Sequence, residues 1–109
     1  MLKGQRNQRR RMLRDRLLNV GMERARFAAV HVIDGLQAIE DSHGRPLVPE
    51  QLAGLACTFL LACEELGIPA REVLEVGDNL LTQARFRDAT HFEGLRLYLR
   101  HHLNLGEVR

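Results

Sequence analysis

The sequence predicts an all-α fold: a small single-domain bundle of four to five helices around a central buried helix at about residues 49–66. Apolar residues recur at helical spacing along most of the chain, and short segments rich in Gly, Pro, Asp and Ser separate the periodic stretches. One stretch is apolar nearly all round, which is typical of a helix buried on most sides. A chain of 109 residues, 45% hydrophobic and 28% charged, can bury one core.

The central helix has clear signals at both ends. Pro49 suits a first helical position, and Gly67 suits the residue just past a helix end. The residues expected to be most buried are Leu52, Leu55, Ala56, Phe59, Leu60, Cys63 and Leu66. On this interpretation Phe59→Ala should cost about 3–5 kcal/mol, because a large core side chain leaves a cavity.

The chain divides by charge into a basic N-terminal arm, residues 1–16, and a bundle domain, residues 17–106. The arm holds seven cations and one acid, so it carries 7 − 1 = +6 of a chain whose net charge is only +2. The periodicity predicts a first helix from Gln8 to Val20, so the arm would include its start.

A second helix is predicted from Met22 to Glu40, with apolar residues spaced alternately three and four apart along one seam. Two interpretations of this seam remain open: it pairs with a second chain, or it faces the central helix. The β-branched patch Val30–Ile33 would alternatively form a short strand.

The remaining elements follow from turn and capping signals. Residues 41–45 read as a loop before the central helix. A fourth helix is predicted over Ala70–Phe86, with a weak point at Gly77–Asn79 where it would kink or break. Residues 90–93 have the form of a capping box that starts a last helix ending near Leu103.

Residues 62–76 resemble the helix-turn-helix of bacterial DNA-binding domains. Cys63 is the small residue four before the turn glycine Gly67, and apolar Ile68 follows that glycine. Val73 and Val76 then stand at the six- and nine-residue positions after it. The resemblance implies a DNA-reading second helix, whereas the chemistry of that helix favours a purely structural αα-corner, since its outer face is mainly acidic.

The candidate partner-binding residues are all arginines. Those of the arm would dock on an acidic protein surface or neutralise nucleic-acid phosphates, or else belong to a solvated tail. Those of the last helix form a weaker second basic surface. The full set is Arg6, Arg9, Arg10, Arg11, Arg14, Arg96 and Arg100.

Site chemistry is sparse in this sequence. No His pair stands at the spacing of two helical metal ligands, and no Gly-rich phosphate loop follows a strand. We therefore expect no enzyme activity, no cofactor and no metal. Cys57 and Cys63 read as small buried residues of a reducing compartment. No secretory signal or long apolar span is visible, so we expect a cytoplasmic protein.

The function expected is that of a small regulator or adaptor that binds another protein. In size and style the chain is similar to accessory proteins of bacteria or phages that modulate or inhibit a host protein. The alternative is a nucleic-acid-binding protein that uses the arginine-rich arm, and a homodimer is a further partner state to test.

Overall fold

The computed structural model describes the backbone of residues 3–86 and 92–103, and the side chains of residues 7–85 and 92–101. These residues form five helices with no strands between them, so the predicted all-α class is confirmed. The helices are α1 (Lys3–Leu18), α2 (Met22–Leu36), α3 (Val48–Leu66), α4 (Ala70–Phe86) and α5 (Glu93–Leu103). Half of the predicted capping box, residues 90 and 91, lies outside the described residues.

The loop between α2 and α3 is held by Asp41, as its turn chemistry predicts. Oδ1 of Asp41 accepts hydrogen bonds from the backbone N–H of His43 at 2.8 Å and of Arg45 at 2.9 Å. These hydrogen bonds, the one to Arg45 first, hold the pKa of Asp41 below its usual range. The loop reverses the chain so that α3 starts beside the end of α2.

Gln51 ties the start of α3 to the end of α2. It is only 1% exposed, and its Nε2 donates to the carbonyl oxygens of Leu36 at 3.0 Å and Ile39 at 3.1 Å. Leu36 is the last residue of α2, so this amide adds a side-chain cap to a terminal carbonyl that also accepts the N–H of Ile39. Gln51 is the one polar residue in the described part of the chain that is fully buried.

The corner between α3 and α4 is formed by Gly67, Ile68 and Pro69. Gly67 adopts φ 70°, a left-handed conformation that glycine reaches without steric cost. The N–H of Gly67 donates to the carbonyl of Glu64, and the N–H of Ile68 donates to that of Cys63. This is a Schellman cap, and it leaves α3 and α4 bent by 119°. Beyond the corner α4 continues unbroken through Gly77–Asn79, so the weak point does not interrupt it.

The helices pack as two neighbouring groups. α1 and α3 both pack on α4, while α2 packs on α5. The buried apolar residues of the described chain are few: Ile33, Cys63, Ile68, Ala84 and Leu95. Residues Val30–Ile33 are helical, so the alternative of a short strand is wrong. Ile33 is buried, so its side of α2 faces the interior of the same chain.

The predicted burial of α3 is wrong. Of its seven expected core residues only Cys63 is buried and Phe59 is half-buried, while Leu52, Leu60 and Leu66 are 50% or more exposed. The remaining two, Leu55 and Ala56, are exposed as well. Residues 52–58 in the middle of α3 are all exposed, so the other described helices leave this stretch uncovered. The expected core position of Cys57 is also wrong, because this thiol is exposed.

The described helices differ in length and apolar character from membrane-spanning helices. None of them alone has the length and apolar character to cross a bilayer, and only α3 and α4 together meet those criteria, as a pair bent by 119°.

Candidate partner-binding site

The basic helix α1 lies beside the α3–α4 corner. A cleft of about 220 Å³ opens there, lined on one side by Arg10, Arg11 and Arg14 of α1. The corner residues 67–69 and Glu72 of α4 form its other side. Three arginine residues therefore line one cleft that holds a single carboxylate residue.

Two of these arginines also contact the corner. Nη2 of Arg14 lies 2.5 Å from Oε1 of Glu72, an ion pair between a side chain that is 57% exposed and one that is 27% exposed. The guanidinium of Arg10 lies over Gly67, in the space that a Cβ at that position would occupy. Helix α1 is thus held to the corner by charge and by close approach, and Arg11 has no ion pair in the part of the chain that the structure describes.

An apolar cleft of about 170 Å³ adjoins this basic cleft. Its lining is wholly apolar, and it comes from α1, α3, α4 and the corner between them: Leu13, Leu17, Phe59, Ala62, Cys63, Leu66, Ile68 and Val73. Ile68 lines both clefts. The volume suits one apolar side chain and is below the range of pockets that enclose a small molecule.

The other arginines proposed from the sequence lie elsewhere. At about 100° per residue, Arg9 and Arg16 project from the side of α1 opposite Arg10 and Arg14. The side chain of Arg6 lies outside the described residues. Arg96 and Arg100 belong to α5, which packs on α2, and neither lines the two clefts. Of the proposed arginines whose side chains the structure describes, Arg10, Arg11 and Arg14 are the ones that it brings together at this cleft.

The helix that would read DNA exposes two acids, Glu75 and Asp78, against the single cation Arg71 in its first nine residues. Glu72 pairs with Arg14 instead of facing solvent alone. The 119° bend between α3 and α4 falls at the upper end of the helix-turn-helix range. The corner therefore has the angle of the motif, and its second helix has the wrong charge for a phosphate backbone.

A polar cluster joins α2 to α5 away from these clefts. The hydroxyl of Tyr98 donates to Oδ1 of Asp34 at 3.0 Å and accepts from Nε2 of Gln37. Desolvation, followed by the hydrogen bond to Asp34, raises the pKa of Tyr98 above its usual value. These side chains hold α5 on α2, and none of them lines the two clefts beside α1.

Sequence reasoning missed the apolar cleft and the role of Gln51. The four-residue spacing of Leu13 and Leu17 was a signal for the first, since it places both on one side of α1. A lone glutamine in an apolar helix was a signal for the second. Among the described residues no three His, Cys, Asp or Glu side chains group in a way that would hold a metal ion.

Comparison with known proteins gives no relative for this chain: no family model matches it, and neither a curated protein nor a solved structure is significantly similar.

Proposed function

We propose that this protein is a small, non-enzymatic binding protein, a regulator or adaptor, that captures an acidic segment of another protein beside α1. The observation that carries the proposal is the pair of adjoining clefts, one lined by three arginines and one wholly apolar, which share Ile68. An amphipathic acidic segment would place one apolar side chain in the second cleft and its carboxylates against the first.

The two clefts supply different parts of binding. A buried apolar anchor in a small pocket commonly carries most of the affinity of a protein interface. The surrounding arginines raise the rate of encounter and select an acidic partner. Arginine also pairs with carboxylates through two parallel hydrogen bonds, which favours a defined orientation.

A protein partner fits this surface better than nucleic acid does. A phosphate backbone follows a long cationic track, whereas the cations here stop at Glu72 and the acids of α4. The apolar cleft has no polar group in its lining that could bind a phosphate or a sugar. The exposed, unpaired thiol of Cys57 suits a reducing compartment, and we extend the proposal to a cytoplasmic location.

A comparison of two double variants on the same helix tests this proposal. Arg10→Ala with Arg11→Ala removes two cations that line the basic cleft. Arg9→Ala with Arg16→Ala removes the same charge from the opposite side of α1. Nuclease-treated lysate is passed over each immobilised protein, and the captured proteins are identified and their affinities measured against salt.

We expect the cleft variant to lose its partner while the opposite-side variant retains it. Equal losses in both variants would reduce the interaction to general charge attraction and contradict the proposed site. A binding constant for duplex or single-stranded nucleic acid that falls steeply with salt, at concentrations where no protein is captured, would favour the nucleic-acid alternative. Circular dichroism of both variants checks that α1 remains folded.

A further inference from the structure

The middle of α3 exposes an uncharged apolar surface. No charged residue lies between Glu50 and Glu64, and the leucines of this helix are between 39% and 61% exposed. The side of α3 that faces away from the apolar cleft carries Ala53, Gly54, Cys57, Leu60 and Leu61, and we refer to these five residues as the outer stripe. All five are exposed, and a Cβ at Gly54 would meet no atom within 4 Å.

The chain as a whole exposes more surface than a compact monomer. Its accessible area is 8,870 Å², whereas a folded monomer of 12.5 kDa exposes about 6,200 Å². Its radius of gyration is 16.4 Å, against about 13 Å for a compact chain of this length. The exposed leucines of α3 contribute to this surface, and a chain in a dimer of standard size buries about 800 Å².

We propose that the outer stripe of α3 binds the same stripe of a second copy of this chain, in an antiparallel dimer with its two-fold axis near Cys57. A two-fold interface requires a patch that complements itself. An uncharged apolar stripe does so, whereas the basic face of α1 would repel its own copy. This surface is separate from the two clefts proposed above for an acidic partner.

The stripe also has the shape for a close helix pair. Ala53, Gly54 and Cys57 are small, so two α3 helices can approach closely, with Leu60 and Leu61 packing on either side of the crossing. Helix axes that lie about 8–10 Å apart bring residues at the crossing point to a Cα–Cα distance of roughly 3.5–5.5 Å. That range overlaps the separation of about 4.4–6.8 Å that a disulfide requires.

The first test is sedimentation equilibrium of the full chain and of two matched variants. Leu61 is 61% exposed on the stripe, and Leu97 is 62% exposed on α5. Because both side chains are largely exposed, a glutamate at either position should leave the monomer folded, which circular dichroism checks. We expect a wild-type dimer, a loss of dimer affinity of at least about 100-fold for Leu61→Glu, and no change for Leu97→Glu.

The second test is cysteine cross-linking. Under a mild oxidant the wild-type protein should form a covalent dimer through Cys57, and Cys57→Ser should abolish it while buried Cys63 remains. A wild-type chain that is monomeric at tens of micromolar overturns the proposal. So does a dimer that survives Leu61→Glu and fails to cross-link at Cys57, because it must then use another face, such as the seam of α2.

Discussion

Gln51→Glu exchanges one atom of a fully buried side chain and reverses its hydrogen-bonding role. In the native protein the Nε2 of Gln51 donates to the carbonyl oxygen of Leu36, the last residue of α2, at 3.0 Å and to that of Ile39, just beyond it, at 3.1 Å. A carboxylate has no proton to donate, so its oxygen would face both carbonyls repulsively. The Oε1 of native Gln51 has no hydrogen-bond partner among the described residues. A carboxylate at this position would therefore find no donor there to compensate its charge.

The magnitude follows from the burial of the site. A carboxyl group at a fully buried position has its pKa raised by about 3–4 units, and each unit is worth about 1.4 kcal/mol. Because pH 7 lies below that raised pKa, only the interval of about 2.7 units between 4.3 and 7 counts, and we expect Gln51→Glu to lower the free energy of unfolding by about 3–4 kcal/mol at pH 7. Because the folded pKa is raised, this penalty is absent below the unfolded value near about 4.3 and grows as pH rises toward the folded value.

The assay is urea denaturation of the wild type, Gln51→Glu and Gln51→Met at several pH values. Gln51→Met has a similar shape without charge, so it reports the loss of the two hydrogen bonds, which we expect to be about 1–2 kcal/mol at every pH. The difference between the variants should shrink as the pH falls. Equal stabilities of the two variants at pH 7 would refute the reasoning, because the site would then admit water.

Further predictions concern four other positions. Phe59→Ala should lower the free energy of unfolding by about 1–3 kcal/mol, because the ring is half-buried beside an open cleft. This is less than the loss expected from sequence for a core residue, and thermal melting measures it. Gly67→Ala should cost about 1–2 kcal/mol from its left-handed backbone, whereas Gly77→Ala, with open space and a helical backbone, should add roughly 0.5–1 kcal/mol. Tyr98 is the only tyrosine, and an absorbance titration should give it a pKa above the ordinary value of 10.0. Its contribution to the free energy of unfolding should therefore be intact below pH 10.0 and be lost as the pH rises through the raised pKa.

Local chemistry allowed the helices to be predicted from sequence. Pro49 and Gly67 mark the ends of α3 because their backbone preferences act within a few residues. The loop around Asp41 and the corner at Ile68 follow for the same reason. The helix propensity of residues around Gly77 was enough to keep α4 continuous, although a glycine there weakens it.

Burial and charge partners were decided by tertiary structure. The composition of α3 predicts a helix that is covered on most sides, and composition alone cannot say whether the cover comes from the same chain or from a second one. In the folded chain α1 lies beside α3 around Cys63, and the middle of α3 stays open. The basic arm is likewise partly engaged, since Arg14 pairs with Glu72 at a separation of 58 residues. Hydrogen bonds within a helix connect residues four apart, so sequence determines them, whereas contacts between helices depend on how every element packs at once.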